Sequence, residues 1–228
     1  MQTIKIIENF RSFQGEGPYI GRAMLILRFK YCDRVEHKNP CAFCDTLLKL
    51  RINTEFESKI EEIQKIISDN RLGVLLTGGE PTFESHFDDT LNLLNQLQYT
   101  LLNVETNGYR LYELIQKVDP TKNIKFMYSP KIFTEKELEF EIEKTEKVID
   151  DKRVYIKVVY EDNILIKRYL EYLTKRIVGI PNEFKKVWLM PEGASREQLI
   201  RNSEAVFDAC EKYKFNFSSR SHIIFGFI

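Results

Sequence analysis

Short, dense apolar runs along this chain alternate with longer stretches in which apolar residues recur every third or fourth position. The first dense run is Ala23–Arg28. After it, Glu57–Asn70 places Ile60, Ile63, Ile66 and Ile67 on one helical face. The alternation then repeats: strand Leu72–Thr77 and helix Phe87–Gln98, strand Leu101–Glu105 and helix Leu111–Val118, strand Ile124–Ser129 and helix Lys136–Asp150, strand Val154–Val159 and helix Ile164–Arg176. Strand Lys186–Met190 leads through Pro191, Glu192 and Gly193 into a last long helix, which opens on Ser195-Arg-Glu-Gln198, the spacing of a capping box. A short strand near Phe215–Ser218 follows. Six strand–helix units predict an α/β protein on a parallel sheet with crossovers of one hand. The chain, at 228 residues, is shorter than the ~250 of a complete eight-fold barrel, so a partial, six-stranded parallel β/α barrel is expected. With no Gly/Ser-rich linker and no repeat, residues 1–228 read as a single domain.

Composition narrows the partners. The 34 basic residues balance 34 acidic ones, which removes the electrostatic footprint of a nucleic-acid binder. Apolar residues at 43% and aromatics at 12% mark a folded globular chain. No apolar run reaches membrane-spanning length, and Glu8 stands where a signal peptide needs its apolar core. A reducing, cytoplasmic compartment is expected, in which thiols stay free to bind metal.

The chemistry begins with the cysteines. Cys32, Cys41 and Cys44 bracket one short stretch that ends Cys41-Ala-Phe-Cys44-Asp45-Thr46. Gathered soft thiolates hold a metal or an iron–sulfur cluster. A closed site takes four ligands, so three thiolates leave one iron open to a substrate or cofactor.

In parallel α/β folds, ligands bind beyond the carboxyl ends of the strands, and the unusual residues collect there. Arg28 and the cysteine loop follow the first strand, and Thr77-Gly78-Gly79-Glu80-Pro81 the second. Glu105-Thr106-Asn107-Gly108, Ser129-Pro130-Lys131 and Met190-Pro191-Glu192-Gly193 follow later ones. Each alone is weak, since Gly-Gly reads equally as an ordinary tight turn, Thr-Asn-Gly more often as a turn and Ser-Pro-Lys as a strand end. Together, five such polar loops on one rim are expected to form a cleft facing the cysteines. The glycines would let backbone approach a ligand closely. Glu80 and Glu105 would accept from an ammonium or from ribose hydroxyls, and Lys131 would answer a carboxylate.

These blocks resemble the radical S-adenosylmethionine (SAM) enzymes, and more narrowly the 7-carboxy-7-deazaguanine synthases. The narrow likeness rests on Ser12-Phe13-Gln14-Gly15-Glu16-Gly17, on Arg28 before the first cysteine, on Cys44-Asp45-Thr46, on Ser129-Pro130-Lys131 and on Arg220-Ser221-His222. One departure stands out. The superfamily's usual spacing is Cys-x3-Cys-x2-Cys, whereas eight residues, Asp33–Pro40, separate Cys32 from Cys41 here. This insert is polar and expected to be solvated.

The resemblance implies a [4Fe–4S] cluster on Cys32, Cys41 and Cys44, with SAM lined by Phe43, Asp45, Gly79, Glu80, Glu105, Ser129, Pro130, Lys131, Met190, Pro191, Glu192 and Gly193. It implies conversion of 6-carboxy-5,6,7,8-tetrahydropterin to 7-carboxy-7-deazaguanine with loss of ammonia, a lyase step of queuosine and 7-deazapurine biosynthesis. Arg28 would pair the substrate carboxylate, and Phe13, Gln14, Gly15 and Thr77 would read the pterin. Thr46 would bind Mg²⁺. His222 and the terminal Ile228 would close the pocket. A flavodoxin or ferredoxin as electron donor and a homodimer are also implied, with neither nucleic acid nor membrane as partner.

Two other functions fit parts of the pattern. A glycyl-radical activase would share the cluster and the Gly-Gly-Glu loop. A zinc- or cluster-binding structural module would use the cysteines, with His37 completing a Cys3His set. Elsewhere, Cys210 and Trp188 are expected in the core, His37 and His86 at the surface, and Glu135–Asp151 as a solvated amphipathic helix.

Overall fold

The computed structural model describes residues 2–44, 46–177 and 186–227. It divides into two compact units. The first is the chain up to Gln14 together with Gly21–Phe126, and the second is Gly15–Ile20 with the chain from Met127 onward.

In the first unit, β1 (Thr3–Ile6) pairs antiparallel with β4 (Phe56–Lys59) as a separate ribbon. Strand β2 (Glu8–Phe13) runs antiparallel to β3 (Ala23–Phe29), setting Glu8 opposite Arg28. Strand β3 pairs parallel with β5 (Gly73–Gly78), which pairs parallel with β6 (Leu102–Thr106). Met24 to Leu27 and Val74 to Leu76 are buried as continuous runs, as parallel strands covered on both faces should be. Short helices α1 (Asp33–Glu36) and α2 (Leu47–Ile52) follow β3, and α3 (Ile60–Asn70), α4 (Glu84–Gln96) and α5 (Leu111–Lys117) alternate with the later strands. Ile60, Ile63 and Ile67 form the buried face of α3.

The unit boundary falls inside β7 (Ile124–Tyr128). In the second unit, β8 (Val154–Tyr160), β9 (Val187–Pro191) and the short β10 (Asn216–Phe217) pair parallel in that order. Helices α6 (Glu135–Val148), α7 (Ile164–Ile177), α8 (Arg196–Tyr213) and α9 (Ser221–Phe225) complete it. The capping box opens α8 as expected: Gln198 N donates to Ser195 Oγ at 3.2 Å, and Ser195 N donates to Gln198 Oε1 at 3.1 Å. Cys210 is buried, and burial pushes its thiol up to about 11.

The α/β, mainly parallel architecture is the one the alternation predicts. Four local expectations need correction. Residues 57–59 extend as β4 instead of beginning the helix, because Ile6 to Thr3 supply a partner strand. The insert after Cys32 folds into α1, half-buried along Asp33–Val35, and only its later part is exposed. Glu141, on the helix expected to be solvated, is buried, and so is His86. No helix among the described residues is long and apolar enough to cross a membrane.

Candidate active site

At the end of β3, Arg28 projects between two carboxyl and hydroxyl partners. Its Nε donates to Glu8 Oε2 at 2.6 Å, and Nη1 lies 3.5 Å from Thr46 Oγ1. Lys49 Nζ stands 3.2 Å from Glu8 Oε1. Burial raises the Glu8 carboxyl, but Arg28 and Lys49 outweigh it and hold the group below its ordinary range. Arg28 and Thr46 are thus brought together, and Thr77 is the parallel-sheet neighbour of Arg28. Sequence reasoning missed Glu8, whose signal was only its place on a strand.

The cysteine loop lies between these two residues in the chain. Cys32 caps α1, its carbonyl accepting from Val35 N and Glu36 N, both at 3.0 Å. Cys44 N donates to Cys41 O at 3.1 Å, which closes the Cys-x-x-Cys stretch into a turn. Phe43 is half-buried, and Asp45 lies outside the described residues. All three thiols are free of disulfides and half-buried. Burial, then Asp33 and Glu80, push the Cys32 thiol up to about 12. Among the described residues, no three His, Cys, Asp or Glu side chains are gathered around one point as a single metal ion requires. A four-iron cluster spreads its ligands over separate irons, so three cysteines outside any disulfide on one loop suit it.

Behind the cysteines, Gly78 and Gly79 serve the chain's own packing. A Cβ on Gly78 would strike Phe29 backbone, and one on Gly79 would strike the Tyr31 carbonyl. Gly78 also has φ +121°, a conformation that favours glycine. The pair lets the loop after β5 press on the end of β3.

Glu80 is 1% exposed. Its Oε1 accepts from Thr82 N at 2.9 Å, Thr82 Oγ1 at 2.6 Å and Thr106 Oγ1 at 2.6 Å, and Oε2 accepts from Asn107 N at 2.6 Å. Burial raises this carboxyl above its ordinary value despite those donors. Glu80 therefore ties the loop after β5 to the loop after β6. From that second loop, Asn107 Nδ2 reaches Asp33 Oδ1 at 2.6 Å, beside Cys32. Gln14 is buried too, and its Nε2 donates to Asn103 Oδ1 at 2.6 Å and Glu105 Oε1 at 3.1 Å. Phe13, just before it, ends β2 half-buried.

The second unit has its own polar centre. Glu16 bonds Lys157 Nζ through Oε2 and accepts from Arg220 Nε through Oε1 at 2.9 Å. Burial raises the Glu16 carboxyl, but Lys157, Arg220 and His222 together drive it far below its ordinary range. Arg220 Nη1 also donates to Gly193 O at 2.6 Å, fixing the turn after β9, where Met190, Pro191 and Gly193 are buried. Asn202 Nδ2 holds Glu192 O at 2.8 Å. His222 packs its ring against Gly15 so closely that no Cβ fits there, and Ser221 N donates to Gly15 O at 3.0 Å. Lys131 Nζ donates to Ser129 Oγ at 2.8 Å, with Pro130 buried between them. Just upstream, the Tyr128 hydroxyl is bonded to Glu141. Ile228 lies outside the described residues. Lys157 and Arg220 had no assigned role in the sequence reading. A lysine within the apolar run Val154–Tyr160 was the available signal for the first.

No protein-family model matches the chain. Curated relatives do. The 7-carboxy-7-deazaguanine synthase of Hyperthermus butylicus is 24% identical over 97% of this chain and 92% of its own length. Among solved structures, QueE from Escherichia coli superposes with a TM-score of 0.57 at 18% identity, covering 96% of this chain and 95% of that one. Streptococcus suis SuiB bound to S-adenosylmethionine gives a TM-score of 0.51 at 19% identity, over 85% of this chain and 48% of that one. The structural likenesses concern the fold, and the curated relative joins that fold to the motif order read above. Over most of its length the chain is similar to curated 7-carboxy-7-deazaguanine synthases, and it shares the fold of QueE.

Proposed function

We propose that this chain converts 6-carboxy-5,6,7,8-tetrahydropterin to 7-carboxy-7-deazaguanine with loss of ammonia. The observation that carries this narrow reading is the meeting of Arg28 with Thr46 at 3.5 Å, at the two ends of the cysteine loop. A glycyl-radical activase has no use for that pair. SAM and a [4Fe–4S] cluster, when bound, would supply the radical chemistry.

The chain's residues bind, orient and exclude water. Cys32, Cys41 and Cys44 hold the cluster. Thr46 would offer Mg²⁺ one hydroxyl oxygen, which suits a hard ion. The Nη groups of Arg28 pair the substrate carboxylate, while Glu8 on Nε keeps the guanidinium plane in place. Phe13, Gln14, Gly15 and Thr77 read the pterin edge, with Asn103 and Glu105 holding the Gln14 amide in one orientation. His222 and Ile228 close over the substrate.

Toward SAM we assign Phe43, Asp45, Gly79, Glu105, Ser129, Pro130, Lys131 and Met190–Gly193. Glu80 acts there through the two loops it ties. A flavodoxin or ferredoxin delivers the electron, the enzyme works as a homodimer in the cytoplasm, and its product enters 7-deazapurine synthesis.

The test is anoxic reconstitution with iron and sulfide, then incubation with SAM, a low-potential reductant, Mg²⁺ and the carboxypterin. Mass spectrometry should find the deazaguanine acid. A protein that assembles its cluster and cleaves SAM yet forms no deazaguanine would overturn the substrate assignment while leaving the superfamily intact.

A further inference from the structure

The residues just ahead of Cys32 are anchored group by group. Phe29 O accepts from Gly79 N at 2.9 Å, and Tyr31 O accepts from Glu80 N at 2.7 Å. Tyr31 N donates to His86 Nε2 at 2.9 Å. The first two bonds are backbone to backbone. The third depends on one side chain.

His86 sits in the first turn of α4 and is 1% exposed. Its ring stacks on Phe29, with centroids 4.8 Å apart, and on Tyr31 at 5.5 Å. Because Nε2 accepts, the ring is the neutral tautomer with its proton on Nδ1. A phenyl ring would satisfy the stacking equally. What imidazole adds is one acceptor, aimed at the amide immediately before the first cysteine. Without it a half-buried N–H loses its partner.

Resting on the family reading above, we propose that His86 is a positioning residue for the iron–sulfur loop: its Nε2 pins the Tyr31 amide and sets the backbone from which Cys32 reaches the cluster.

Three variants separate packing from acceptor. His86→Phe keeps the ring and loses the acceptor. His86→Gln restores an oxygen at about the reach of Nε2, and His86→Asn carries one that falls a carbon short. Each protein, like the wild type, is reconstituted under anoxia, and transfer of its iron to excess chelator is followed by absorbance with no substrate present. The Phe and Asn variants should release iron about tenfold faster than wild type or more, and the Gln variant within about threefold of it.

Wild-type rates in the Phe and Asn variants would overturn the proposal. So would equal acceleration in Gln and Asn, which reports lost packing and not a lost acceptor. If His86→Phe does not fold, the Gln–Asn contrast decides. Wild-type protein that takes up no cluster removes the family reading and the proposal together. A stable wild-type cluster with indifferent variants removes the proposal alone.

Discussion

Arg28 and Thr46 stand 18 positions apart in the chain and meet across 3.5 Å, Nη1 to Oγ1. Arg28 belongs to the end of β3, and Thr46 directly precedes α2. All three clustered cysteines lie between them, so the loop begins and ends at one place. Glu8, across from Arg28 on β2, braces that place from the other side.

Removing Arg28 tests the substrate carboxylate. Losing one partner of a desolvated pair costs about 2–5 kcal/mol, or roughly thirty- to several-thousand-fold in affinity. Arg28→Ala should weaken carboxypterin binding by that much at equal cluster content. Arg28→Lys, which keeps charge but loses the planar fork, should recover only part of it. Substrate affinity measured in both variants checks this, and a change of less than about threefold would place the carboxylate elsewhere.

Thr46 tests the metal. Thr46→Ala removes the one side-chain oxygen assigned to Mg²⁺ and leaves the thiols in place. Turnover measured against Mg²⁺ concentration should lose most of its response, with cluster absorbance unchanged. An unaltered Mg²⁺ profile would rule out this hydroxyl as the ligand.

The cysteines divide into two classes. Cys32→Ala, Cys41→Ala and Cys44→Ala should each abolish the broad visible absorbance of the cluster and all SAM cleavage. Cys210→Ala, in the core of α8, should leave both intact at a modest cost in stability. Full activity in any of the first three would sink the ligand assignment.

Glu16 ties stability to pH. Its carboxyl stays ionised far below the ordinary 4.5, with Lys157 and Arg220 as partners. Glu16→Gln leaves two buried cations without their anion, which should cost about 3–5 kcal/mol near neutral pH. A group with a lowered folded-state pKa contributes stability above its unfolded value and loses it as pH falls. The wild-type advantage over the variant should therefore be complete at neutral pH and begin to shrink as pH drops through 4.5. Chemical unfolding of both proteins across that range gives the comparison, and a pH-independent difference would contradict the ion-pair account.

Much of this was legible along the chain because it is local. Periodicity marks the helix faces, and Ser195 with Gln198 marks where α8 begins. Pairings made at a distance were not. Strands β1 and β4 are short, and each becomes a strand only because the other lies alongside it. Glu16 and Lys157 are 141 residues apart, so nothing near either announces the other. The glycines before Glu80 were visible, but their purpose depends on how closely β3 and the next loop approach. His86 shares the buried face of α4 with Thr90, Leu93 and Leu94, and that spacing was the overlooked sign that it is not a surface residue.

The carboxylate of Glu80 has a consequence for anyone transplanting parts of this site. Its donors come from Thr82, Thr106 and Asn107, so the segment Gly78–Thr82 is not a portable cassette. Moved alone into another scaffold, it would carry a buried acid away from two of the three residues that satisfy it, at a cost of about 1–3 kcal/mol or more. The segment travels only with Thr106 and Asn107, and natural drift in either loop is constrained by the other.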